Sequence, residues 1–498
     1  MLKTNDNLKF YKFFRGFSIW PIVFIGLFLR LVNINAPVIG VHSWRQADTA
    51  SIARNFLSNN LIFWQPQVNW SGSTNGFVEC EFPLYQYLVA QLYKIFGVNE
   101  IFARGLSIVF GCLSIIILFR LIKRVFDVEV AWWGSFFYSI LPACVFYSRT
   151  IQPESLMMFL GIFSLERWLA FIDNNNKKNL FISWIFFTLA VLIKVLPFFW
   201  IGIPILITGF KKSLIIKYRL YIYPILTIII CYLWYSYAYK LGQSTGLTFG
   251  LWGADTDRYS FSSLLELRYY MDLILRILLR NFLLIGFPLI LLSIQVTGLN
   301  NIFVIGIFSV LLTGFISPVS FGIHEYYQLP MMIFSCPLMG LGFIRLKTII
   351  VRNKFFIYLF ISLVCAASLI ILKFDYWDLE NPENQPVWNT ATLVKNNTNT
   401  TDLIISVTGG DPTLLYLSDR KGWLISPMKI NENIISEWRN EGAKYIAGSW
   451  EVIESYNLFS NEKQKKDLKQ MFCTSSIYFK FSNKACKNQA QSYLVELR

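Results

Sequence analysis

Residues Phe355–Leu372 read FFIYLFISLVCAASLIIL, eighteen residues without a charge, set between Lys354 and Lys373. Wound as an α-helix at about 1.5 Å per residue, such a run comes close to the hydrocarbon thickness of a bilayer. It reads as a transmembrane helix, and it is not alone. Gly16–Val32, Ile101–Leu121, Tyr221–Tyr239 and Ile302–Ile316 are comparably apolar. A content of 55% hydrophobic and 17% aromatic residues, with a mean hydropathy of +0.47, agrees and excludes a wholly soluble chain. Extending outward gives eleven expected spans, near 17–34, 101–122, 130–148, 154–172, 180–196, 197–210, 219–239, 273–296, 301–317, 327–345 and 355–373. The 180–210 stretch reads either as one bent helix or as two short ones, broken at Pro197 and Pro204.

Charge supplies an expected orientation. The net charge is +15, yet residues 374–498 carry 14 Lys and Arg against 15 Asp and Glu. The excess therefore lies in residues 1–373, at span ends. Lys3, Lys9, Lys12 and Arg15 precede the first span; Arg120, Lys123 and Arg124 follow the second; Lys177 and Lys178 follow the fourth. Lys211, Lys212, Lys217 and Arg219, then Arg345, Lys347, Arg352 and Lys354, continue the set. Basic clusters at every other connection are the positive-inside pattern, which accounts for the charge better than nucleic-acid binding does. The first run is long and no small-residue cleavage site follows it, so it is expected to stay as the first span with the N-terminus cytoplasmic. Eleven spans then place the C-terminal segment outside.

Two domains are expected. Residues 1–373 form a transmembrane domain whose outer loop, 35–100, contains interfacial helices. Within that loop, Ser43-Trp44-Arg45-Gln46 has the pattern of a capping box ahead of a helix to about Leu57. Pro83 opens a second, amphipathic helix, which Gly97 closes. Residues 374–498 form a small extracytoplasmic α/β domain. There Leu403–Val407 is strand-like, Gly409-Gly410-Asp411-Pro412 turns into a short helix, a helix is expected near 434–441 and a strand near 444–447.

The chemistry-bearing residues gather at the outer span ends. Asp48 lies just after the first span; Glu81 starts the second loop helix; Glu154 follows Pro153 at the mouth of the fourth span, near Arg149. Each has a plain structural reading: Asp48 paired with Arg45 or Arg54, and Glu81 and Glu154 favoured by the positive ends of helices. Their convergence with Lys194 and with the row Arg268, Asp272, Arg276, Arg280, spaced by four on one helix face, favours function, because ionisable groups are costly at membrane depth. Asp272 can neutralise part of that row internally; Arg280, the deepest, has no acid of its own at that spacing. Only His42 and His324 are present, and no cysteine cluster has zinc spacing. Asp255-Thr256-Asp257 resembles a metal motif, though such pairs are usually solvated loop acids. A divalent cation is left open, with Asp48, Glu81 and His324 as weak ligand candidates. Cys473 and Cys486 are expected to pair if their domain lies in an oxidising space.

The order of these motifs resembles the GT-C superfamily of glycosyltransferases, in particular bacterial relatives of protein O-mannosyltransferases and of the lipid A aminoarabinose transferase. The resemblance rests on His-Ser-Trp-Arg-Gln-Ala-Asp-Thr-Ala around Asp48, Glu81-Phe82-Pro83-Leu84-Tyr85, Arg149 to Glu154, Lys194, and His324-Glu325-Tyr326-Tyr327-Gln328-Leu329-Pro330. Two positions depart from it: Phe82 stands where many relatives have Lys, and Glu154 where others often have Asp. The resemblance implies inverting transfer of a sugar from a polyprenyl-phosphate donor to a lipid, glycan or protein hydroxyl. Asp48, Glu81 and Glu154 are then the catalytic candidates. Arg45, Arg149, Lys194, Arg276, Arg280, His324, Tyr326 and Tyr327 are the substrate-binding candidates. Rival readings are a polysaccharide polymerase or ligase, whose long outer loop comes late in the chain, and a lipid or solute transporter, which would show a duplicated half.

Overall fold

The computed structural model describes residues 18–210, 214–251, 260–350, 354–450, 479–480 and 492–497. Cys473, Cys486, Asp255 and Asp257 lie outside the described residues. The chain forms two compact units: a helical unit of residues 1–34, 104–237 and 253–373, and a loop-and-sheet unit of residues 35–103, 238–252 and 374–498.

A helix occupies each of the eleven stretches expected to span. By length and composition, five are able to cross a bilayer: Glu100–Val125, Glu154–Asn174, Tyr221–Thr245, Met331–Ile349 and Phe355–Glu380. The number becomes six if Leu267–Asn281 and Gly286–Thr297, bent by 89°, count as one broken span. Five or six of the eleven expected spans thus meet the length of a bilayer crossing among the described residues. Helices such as Trp20–Leu31 and Ile302–Ile316 are apolar but shorter than a bilayer asks.

Packing in the helical unit relies on small residues where helix backbones cross. A Cβ on Gly340 would come within 2.5 Å of the Gly134 backbone nitrogen, so Val128–Ile140 and Met331–Ile350 touch main chain to main chain. Arg30, near the end of the first helix, is fully buried. Its guanidinium donates to Ser148 Oγ at 2.5 Å and to the carbonyls of Gly26, Ser139 and Cys144 at 2.8, 2.9 and 3.1 Å. A buried arginine satisfied largely by backbone carbonyls ties three helices together, a structural role.

The 180–210 stretch resolves into Lys177–Ile193, Pro197–Trp200 and Gly202–Phe210. The first break falls at 194–196, because the Pro197 ring would clash with the Ile193 carbonyl of a continued helix. A second interruption falls at Ile201, one turn before Pro204, which has no N–H to offer the Trp200 carbonyl. Lys194 is thereby left in extended backbone at φ −152° and ψ 140°.

In the loop-and-sheet unit, Ser43–Ser58 and Leu84–Phe96 pack around Ile52, Phe56, Val68, Val78, Cys80, Ala90 and Phe249. The capping box expected at Ser43 does not form. Ser43 is already helical, the cap is His42 in left-handed backbone at φ 52°, and Gln46 donates to the Val41 carbonyl at 3.2 Å instead. Residues 374–498 build a five-stranded sheet in the order β2-β1-β3-β5-β4, from β1 (Leu403–Val407), β2 (Lys421–Leu424), β3 (Ala443–Ser449), β4 (Phe479–Lys480) and β5 (Ser492–Leu497). β2, β1 and β3 run parallel while β5 is antiparallel to both β3 and β4, a small mixed sheet.

Candidate functional site

The candidate residues fall into two groups, one in each unit.

In the loop-and-sheet unit, Asp48 is only 4% exposed. Neither arginine expected to neutralise it is its ion-pair partner. Arg45 reaches Glu81 at 2.6 Å and lies 5.0 Å from the centre of the Phe249 ring. Arg54 is held by Asp419 at 2.6 Å and by Glu100 at 3.9 Å. Asp48 instead accepts the indole N–H of Trp70 at 2.8 Å. Burial pushes its carboxyl up to about 7; the Trp70 hydrogen bond pulls it back, Asp411 raises it again, and Arg45 lowers it. A carboxyl balanced near neutrality accepts a proton far more readily than a solvated aspartate would. Asp411 is raised as well, first by its own burial.

Just before Glu81 the chain makes a small backbone ladder. Glu79 N–H donates to the Leu247 carbonyl at 2.9 Å, the Phe249 N–H returns to the Glu79 carbonyl at 2.9 Å, and Gly250 N–H donates to Glu79 Oε2 at 2.8 Å. A Cβ on Gly250 would stand 2.6 Å from the backbone nitrogen of Glu81, so a glycine is needed for this approach. The Leu84–Phe96 helix that follows is capped by Pro83 and stopped at Gly97, φ 84°, as the sequence indicates.

In the helical unit, Lys194 Nζ lies 2.7 Å from Glu154 Oε1, and both side chains are buried. The same ammonium stands 4.4 Å from the ring centres of both Tyr326 and Tyr327. His324 stacks on Tyr326 at 5.2 Å with an interplanar angle of 6°. Tyr147 donates to Glu325 Oε2 at 2.9 Å, and the same oxygen is 3.6 Å from Arg280 Nη1. Arg280, which has no acid at that spacing on its own helix, thus takes one from the short outer motif. Arg276 Nη1 donates to the Gly322 carbonyl at 2.6 Å. Arg268 and Asp272 form an exposed i,i+4 pair at 3.7 Å. Arg149 is fully buried and donates to the Asn33 carbonyl at 2.9 Å, joining the end of the first helix. Between Arg149 and Glu154, Gln152 is fully buried and its side-chain amide has no hydrogen-bond partner among the described residues.

Lys194, Glu154, Tyr326, Tyr327, His324, Glu325 and Arg280 are therefore one constellation, drawn from four separate segments. Asp48, Arg45 and Glu81 belong to the other. Trp70 and Tyr147 complete these groups and went unnoticed in the sequence, because each lies outside any motif, while Asp411 was read only as part of the Gly409–Pro412 turn. Among the described residues no three His, Cys, Asp or Glu side chains are placed to hold a metal ion. Of the weak cation candidates named from sequence, Glu81 is engaged by Arg45 at 2.6 Å.

Residues 81–239 match the family model described as dolichyl-phosphate-mannose-protein mannosyltransferase. No curated protein sequence matches the chain. Among solved structures, the apo form of ArnT from Cupriavidus metallidurans superposes with a TM-score of 0.61 at 12% identity, over 96% of this chain and 97% of that one. The same enzyme bound to undecaprenyl phosphate gives 0.61 at 11% identity, over 96% and 97%. The oligosaccharyltransferase AglB from Archaeoglobus fulgidus, in complex with an inhibitory peptide and a dolichol-phosphate, gives 0.56 at 12% identity, over 97% of this chain and 76% of that one. At such identities the fold is what is shared. With the family match, it bears out the GT-C resemblance drawn from the sequence, and the chain is a multi-pass membrane protein.

Proposed function

We propose that this GT-C-fold protein is a glycosyltransferase that moves a sugar from a polyprenyl-phosphate carrier to an acceptor hydroxyl on the outer side of the membrane, inverting the anomeric carbon. The observation that carries the reading is the buried Asp48 carboxyl, poised near neutrality, in a chain whose residues 81–239 match a mannosyltransferase family.

In this reading Asp48 takes the proton of the acceptor hydroxyl as its oxygen attacks the anomeric carbon. The bond from that carbon to the phosphate oxygen breaks, and its electron pair leaves with the lipid phosphate. The departing anion needs fixed positive charge, for which Lys194, Arg276 and Arg280 are the candidates. Arg45 and Glu81 neutralise each other beside the base, and Glu154 with the two tyrosine rings fixes the Lys194 ammonium. Support for the donor comes from relatives seen with undecaprenyl phosphate and with a dolichol-phosphate. The polymerase or ligase and transporter alternatives gain no observation of their own.

The test is to supply the purified protein with a set of polyprenyl-phosphate sugars and follow release of free polyprenyl phosphate. Sugar-dependent release supports the reading. No release from any donor, with or without mixed envelope lipids and glycans as acceptors, would reject it.

A further inference from the structure

Trp70 belongs to two hydrophobic cores at once. Its ring packs against the loop cluster of Ile52, Phe56, Val68 and Val78, and against the domain cluster of Ile404, Leu414, Leu415 and Ala447. The backbone on either side of it is sewn to the sheet. Gly72 N–H donates to the Gly422 carbonyl at 2.7 Å, and Gly422 N–H donates to the Asn69 carbonyl at 3.0 Å. β2 is the edge strand, so residues 69–72 occupy hydrogen-bonding groups that an edge would otherwise expose. The fit at Gly72 is tight. Its φ is +62°, and a Cβ there would stand 2.4 Å from the Trp423 indole nitrogen. On the helix side, Asn55 Nδ2 donates to the Gln67 carbonyl and to Asn69 Oδ1, each at 2.9 Å. Trp70 is therefore fixed from three directions, and its single donor points at Asp48.

Resting on the reading of Asp48 as the base, we propose that Trp70 is its positioning residue, and that through Trp70 the C-terminal domain holds the base in place. The domain is then part of the catalytic apparatus and not an appended binding module.

A second anchor lies further along the same helix. Arg54 holds Asp419 at 2.6 Å and stands 4.5 Å from the centre of the Tyr416 ring, while Tyr416 donates to Glu100 at 2.7 Å. Together these contacts fix Thr413–Ser418 against Ser43–Ser58. The arrangement also brings Asp411, at the turn before Thr413, close enough to act on Asp48 electrostatically. The titratable groups around the base are thus Arg45 on its own helix, Glu79, Cys80 and Glu81 on the neighbouring segment, and Asp411 from the domain.

Trp70→Phe keeps an aromatic ring against both cores while removing the N–H together with part of the indole's bulk, so its thermal midpoint is read beside its kinetics. Loss of a hydrogen bond to a charged group should lower kcat about 10–100-fold, with little change in donor KM. The acidic limb of the pH–rate profile should move to higher pH, because the bond that favours the ionised carboxylate is gone. Gly72→Ala, which crowds Trp423 and loosens the seam, should move the same limb the same way. Trp64→Phe, at an exposed tryptophan in the same loop, is the control and should leave kcat and the profile unchanged. If Trp70→Phe keeps wild-type kcat and an unmoved acidic limb, the positioning role is wrong, even where Asp48→Asn is inactive. If Asp48→Asn itself turns over normally, it is the reading of the base that falls.

Discussion

Lys194 Nζ sits 2.7 Å from Glu154 Oε1, in a helical unit where neither side chain reaches solvent appreciably and two tyrosine rings flank the ammonium at 4.4 Å. Two charges so buried neutralise each other, and removing one strands the other.

Lys194→Met should therefore destabilise the protein by about 3–5 kcal/mol, read as a lower midpoint of thermal unfolding in detergent. The double substitution Lys194→Met with Glu154→Gln leaves no unpaired charge and should recover most of that stability. Turnover should stay low in the double variant if the ammonium serves the lipid phosphate. Recovery of both properties would make the pair purely structural.

Arg280 is about one-third exposed and stands 3.6 Å from Glu325. Arg280→Ala should raise the donor KM by about 10-fold or more, the scale of one charge-assisted hydrogen bond. Its midpoint should change little, because Arg280 is the exposed partner and the buried Glu325 carboxylate keeps its hydrogen bond from Tyr147 at 2.9 Å. An unchanged KM for the lipid-phosphate sugar would place this arginine among the structural ones, with Arg30.

Much of the fold is legible in the sequence because apolar length and period are local properties. Phe355–Leu372, the break at Pro197 and the strands at 403–407 and 443–449 can each be read from a window of residues. The number of full spans could not. Trp20–Leu31 is shorter than the apolar run Gly16–Val32 around it, and Ile302–Ile316, though helical throughout its run, is only 15 residues long. The site is legible as a list of residues but not as partnerships. Arg45 has Asp48 three positions away on its own helix, yet it pairs with Glu81 thirty-six residues on. Arg280 finds Glu325, and Asp48 finds Trp70. Local spacing weighs the near partner, whereas burial selects whichever partner the fold delivers.

The topology makes a separate prediction. The basic clusters of residues 1–373 fit the cytoplasmic side only if the tail lies opposite. A reporter joined after Arg498 should be active in the extracytoplasmic space. Activity in the cytoplasm would reverse the assigned sides.

Asp48 also makes stability depend on pH. Its folded carboxyl keeps its proton up to about 7, whereas an unfolded aspartate loses it near 4. Between those values the folded state binds more protons, so this group's contribution falls as pH rises from about 4 to about 7 and is level above. The loss is at most about 4 kcal/mol, at 1.36 kcal/mol per pH unit. Asp48→Asn lacks the titration, so its midpoint relative to wild type should improve steadily over that window. A constant difference from pH 4 to pH 8 would show that the carboxyl is not held as described.

The most direct test of the account is single-turnover transfer by purified wild-type protein and Asp48→Asn, with one polyprenyl-phosphate sugar that the wild type uses, across pH 5 to 9. The wild-type rate should climb through about 7 and level off, as the buried carboxyl ionises. The variant should be slower by about 10²–10⁴-fold, the usual loss when a general base is removed, with a midpoint no lower than wild type. A variant that transfers sugar at a near-normal rate, or a wild-type rate flat across neutral pH, would contradict the assignment of Asp48 as the base.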